Sequence, residues 1–160
     1  MNDKDVLQAL ATVFTELLDG SKAKECWVLN PQDPGLMKTL DNLPAAQASA
    51  VPVQGGASVA AHADHLRYGL GLLNRWTQGE RPFADADYSA SWERITVSET
   101  EWAARREALR AEASRWRDAI TNPRELTEFE MTGMIASVVH LAYHFGAMRQ
   151  IDRSMRGPSA

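Results

Sequence analysis

The chain contains four histidines in two tight pairs, His62 with His65 and His140 with His144. On a helix, residues three or four apart share one face, with Cβ atoms about 5–6 Å apart. Two imidazoles held that way can share one metal ion, which is why a helical His-x-x-x-His spacing serves zinc. The neighbours on those faces are small or apolar: Gly133, Ala136, Ser137, Ala147 and Ile151 beside the second pair, Ala61, Gly69, Leu72 and Trp76 beside the first. Both faces therefore point inward. A buried imidazole needs a partner, and a metal ion bound by three of the four supplies one for each. A lone inward histidine is more often a hydrogen-bonded core residue; two facing pairs favour the metal. The single cysteine, Cys26, is a thiolate candidate without a second cysteine near it.

Helices must carry these pairs, and four long ones are predicted, over about 3–19, 58–78, 98–121 and 127–155. The first repeats Val6, Leu10, Phe14 and Leu17 at helical spacing and stops at Gly20, where a left-handed cap is commonly needed. Ser58 opens the second. The third and fourth start with capping boxes, Ser98 with Glu101 and Thr127 with Glu130. The third presents Trp102, Leu109, Ala113, Trp116 and Ile120 as one stripe and ends at Asn122–Pro123. The five tryptophans, at helical spacing, are expected in the core. In the fourth, residues 131–148 carry no Asp, Glu, Lys or Arg, the mark of a central helix buried on several sides.

Two long connections remain. Residues 21–56 contain Pro31, Pro34, Pro44 and Pro52 and should be loop, with one short helix from Gly35 to Leu43. Residues 79–97 are polar with aromatic anchors, and connections of that length are often functional. Strand-like alternation is nowhere sustained. An all-α, single-domain four-helix bundle over 1–160 follows.

Net charge is −4 and no Lys/Arg block stands out, so neither a nucleic-acid nor a membrane partner is expected. The start, MNDKDVLQAL, has no basic region ahead of an apolar run, unlike a signal peptide. With one cysteine and no internal disulfide possible, the expected location is cytoplasmic.

The stretch VVHLAYHFGAMRQI (Val138–Ile151) resembles the last-helix signature of the DinB/YfiT-like superfamily: two histidines four apart, then a small residue, then Gln near the helix end. GGASVAAHADHLRYGL (Gly55–Leu70) resembles the family's second helix, where the first metal histidine follows the capping Ser or Thr by seven residues. Counted from Ser58, that residue is His65 and not His62. MKTLDNLPAAQASAVP (Met37–Pro52) also has the family's character. The resemblance implies a bundle holding zinc, nickel or another divalent ion on His65, His140 and His144. It further implies a bacterial homodimer acting on a small molecule, with a low-molecular-weight thiol as a possible partner. His62 stays open as a fourth ligand, an outer partner of a ligand, or a packed residue.

Three neutral imidazoles leave a coordination position open, as at a catalytic metal. A water there becomes acidic, and a thiol loses its proton. The expected activity is a metal-dependent thiol transferase or hydrolase. The rival is a non-catalytic metal-binding or stress-response interaction module. Asp64, Tyr68 and Tyr143 lie near the histidines in sequence, and Asp85 and Asp87 in the second connection are within reach of the site mouth. None is singled out.

Overall fold

A computed structural model describes residues 3–21, 26–93, 95–122 and 125–156. Its long helices are α1 (Asp3–Asp19), α4 (Val59–Thr77), α5 (Glu99–Thr121) and α6 (Glu128–Ile151), with short helices α2 (Leu36–Asp41) and α3 (Ala45–Ala48) in the first connection. Two 3-10 turns, Ser89–Ser91 and Arg153–Met155, complete the elements. The described residues form no strand, only an isolated bridge between Gly20 and Pro34. No described helix is long and apolar enough to cross a membrane.

Local chemistry accounts for the helix starts. Ser58 accepts from the Ala61 amide at the head of α4. Both capping boxes are made in full, Ser98 with Glu101 and Thr127 with Glu130. Each satisfies two of the amides that a helix N-terminus leaves without partners. Gly20 ends α1 at φ +84°, and a Cβ there would stand 2.8 Å from the Gly35 amide nitrogen. Pro123, expected at the end of α5, and Gly157–Pro158, expected beyond α6, lie outside the described residues.

The long helices pack as a ring in which α1 and α4 each touch both α5 and α6. The stripe of α5 is buried as expected: Trp102, Leu109, Ala113, Trp116 and Ile120. Both its indoles have partners, Trp102 donating to the Leu43 carbonyl at 2.7 Å and Trp116 to the Ser137 hydroxyl at 2.8 Å. The other tryptophans depart from the expectation of a core role. Trp76 and Trp92 are half-buried, and Trp27 is 71% exposed in the first connection.

Three further expectations need correction. The helix α6 is not central: Ile135, Val139 and Tyr143 are 45%, 62% and 69% exposed. Its backbone packs mainly against α1 and α4, and the side that carries these three residues faces solvent despite its apolar composition. It also ends at Ile151, four residues early, because Asp152 is extended and caps the turn Arg153–Met155 through the Ser154 amide. The first connection, finally, holds α3 as a second short helix and is anchored by a buried acid. The Glu16 carboxylate accepts the amides of Trp27, Val28 and Leu29 at 2.8, 2.8 and 2.7 Å. Burial alone would raise this carboxyl, but the three donors outweigh it and hold it below its ordinary value.

Candidate metal centre

His62 and His65 lie in the first two turns of α4, and His140 and His144 lie in the second half of α6. Packing of α4 on α6 brings the pairs face to face. The Nε2 atoms of His65 and His140 are 3.2 Å apart, and those of His144 and His140 are 2.9 Å apart. A nitrogen from each of His65, His140 and His144 lies within 4.8 Å of the other two. Among the described residues this is the only group of three or more His, Cys, Asp or Glu so placed, and Cys26 is not in it.

The outer nitrogens decide how each ring is protonated. Ser91 donates its hydroxyl proton to the Tyr88 carbonyl at 2.7 Å, so its oxygen is left to accept from His65 Nδ1, 3.0 Å away. That puts the His65 proton on Nδ1 and turns the Nε2 lone pair inward. His144 Nδ1 lies 2.8 Å from His62 Nδ1. With His144 as donor, its Nε2 lone pair also faces inward, and His62 carries its proton on Nε2. In that arrangement His62 pairs with the outer nitrogen of His144.

Two lone pairs then converge on His140 Nε2, which can carry at most one proton. A proton there serves one neighbour and leaves the other opposed; a cation serves all three. The two separations at His140, 3.2 and 2.9 Å, are also near the roughly 3.3 Å that metal–nitrogen bonds of about 2.0–2.1 Å set between tetrahedral ligands. Electrostatics agree. Burial pushes His65 down to about 4, with His140 and His62 adding to the shift and Asp64 opposing it. His144 is pushed down to about 3, by burial first and then by His140, His62 and His65. Burial lowers His62 and His140 as well. Neutral imidazoles at pH 7 are the form that ligates.

The second connection covers the site. Trp92 stacks on His65 at 4.4 Å between ring centroids and meets His62 edge-on at 5.1 Å. Ser91 and Trp92 carry no motif, so sequence could not single them out; the aromatic anchors of residues 79–97 were the only hint. The neighbours considered from sequence have other work. Asp64 is buried and paired with Arg67 at 2.7 Å. The Tyr68 hydroxyl accepts from the Asp87 amide at 2.9 Å. The Asp87 carboxylate accepts from the Ser89 amide and hydroxyl and, like that of Asp85, does not join the histidines. Tyr143 touches His144 edge-on at 5.0 Å from an exposed position.

A cavity of about 290 Å³ adjoins the triad, with His140 in its wall. A second cleft, of about 380 Å³ between α4 and α5, has no histidine in its lining. Its arginines, Arg67, Arg75 and Arg115, are all paired with carboxylates.

Among curated proteins and solved structures, none matches this chain. Residues 35–147, which include all four histidines and most of the bundle, match the DinB superfamily. By that match the chain belongs to the DinB superfamily, a family of metal-binding proteins.

Proposed function

We propose that His65, His140 and His144 hold one divalent ion, zinc or nickel foremost, and that the protein is a metal-dependent enzyme transferring a thiol to, or hydrolysing, a small molecule. The observation that carries this reading is the convergence of three Nε2 atoms, two of them with their Nδ1 atoms committed to Ser91 and His62. When bound, the ion supplies a Lewis acid that acidifies a water or a thiol. The chain's own residues do the rest. Ser91 and His62 orient two ligands, Trp92 shields the site on one side, and His140 opens on the cavity. His62 is turned to His144 and no described carboxylate joins the triad, so a coordination position is left for a reactant.

The test is metal content by elemental analysis on protein purified without a nickel column. About one ion per chain is expected, together with a rise in melting temperature when zinc or nickel is added to stripped protein. Absence of metal and an unmoved melting temperature would sink the proposal. The unpaired Cys26 fits the cytoplasm as the site of action.

Association is a second element of the reading, favoured by the exposed apolar stripe Ile135, Val139 and Tyr143 on α6. A homodimer through this face is expected to sediment as two chains, and Val139→Arg as one. A wild-type chain that sediments as a monomer removes it. A non-catalytic module working through that face, with the metal structural or sensed, predicts dimerisation without turnover of any thiol or ester.

A further inference from the structure

The cavity beside the triad has a chemistry of its own. Leu66, Leu70 and Leu73 of α4 face Gly133, Ala136 and Leu141 of α6 across it. None of the described lining side chains is charged. Ser137 also lines it, but its hydroxyl donates to the Met134 carbonyl and accepts from Trp116, so it has little to offer a ligand. Phe83 and Tyr88, 42% and 44% exposed, stand in the wall from the second connection.

One glycine in the wall leaves room beside the triad, and the other seats the Trp76 ring, which is not among the lining residues. A Cβ on Gly69 would stand 3.7 Å from His140 Cε1, filling room beside the ring. A Cβ on Gly133 would press on the Trp76 ring at 3.3 Å. His140 belongs to both places, its Nε2 facing the triad and its ring lining the cavity.

We infer that this cavity takes the uncharged aliphatic or aryl group of a small-molecule substrate, with the reacting end at the histidine triad. The inference rests on the metal-centre reading for the reacting end only. Charged groups, such as the carboxylates of a polar thiol, stay outside, because burying a charge among these walls leaves it unpaired. A dry cavity of about 150 Å³ accommodates benzene. At about 290 Å³ this one has room for a group of naphthyl or octyl size.

The test is calorimetric titration of alkan-1-ols, butanol to decanol, into metal-free and cobalt-loaded protein. Affinity is expected to rise about fourfold per methylene until the cavity fills, then to level off. Ala136→Phe, at the partly open wall on α6, should bring the levelling to a shorter chain while leaving helix content and cobalt content unchanged. Alkane-1-thiols should show the same length dependence in the sulfur-to-cobalt charge-transfer band, and mercaptosuccinate should gain nothing from the cavity. An affinity independent of chain length, or a dependence that Ala136→Phe leaves untouched, overturns the inference. If cobalt does not bind but the alcohols keep their length dependence, the metal centre fails and the apolar binding class stands.

Discussion

His140→Ala is expected to lower affinity for a divalent ion by well over a hundredfold, the largest effect of any single change near the site. Its Nε2 is the nitrogen that lies within 3.2 Å of one ligand and 2.9 Å of the other. Without it, two imidazoles remain, one on each of two helices. Ser91→Ala provides the graded comparison. It leaves all three ligands in place but removes the oxygen that keeps the His65 proton on Nδ1. Loss of such an outer partner typically costs about 10–100-fold in affinity. Competition against a chromophoric chelator measures both variants on one scale. The expected order is wild type, then Ser91→Ala, then His140→Ala. Equal affinity in wild type and His140→Ala would exclude this triad as the ligand set, whatever metal the protein carries.

Trp116→Ala should destabilise the bundle by about 3–5 kcal/mol, the usual loss when a buried aromatic side chain is cut to alanine. The side chain is fully buried on α5 and its indole nitrogen reaches across to Ser137 on α6, three residues before His140. The substitution leaves a large void and removes the indole donor at the Ser137 oxygen. For a chain of this size each kcal/mol moves the melting temperature by roughly 2–4 °C, so a fall on the order of 10 °C is expected. Trp116→Phe keeps much of the volume and should cost distinctly less. Urea denaturation separates the two, and a loss below about 1 kcal/mol in Trp116→Ala would contradict the packing described for α5.

The features legible in the sequence are those set by neighbours along the chain. Capping boxes at Ser98–Glu101 and Thr127–Glu130 mark helix starts because all their bonds close within four residues. The stripe of α5 follows from helical periodicity alone and is buried residue for residue as expected. The histidine pairs are legible for the same reason, since spacings of three and four put both rings on one face. Family resemblance then separated His65 from His62, a distinction that spacing could not make.

What depends on distant contacts was not legible. His62 and His65 share an apolar face, and only the fold shows that His65 Nε2 meets the triad while His62 meets the far nitrogen of His144, 82 residues away. Ser91 reaches His65 across 26 residues and has no spacing that marks it. Glu16 reads as an ordinary helix acid until the chain returns at residues 27–29 and hands it three amides. An apolar composition in α6 likewise says nothing about how many sides are covered, because that is set by how many helices pack on it. The four long helices, their starts and the shared faces of the histidine pairs follow from the chain itself, because hydrogen bonds and side-chain registers within a few residues dictate them. Which imidazole nitrogens converge, what orients them and what cavity lies beside them depend on the packed fold, because each is settled by groups that only folding brings together.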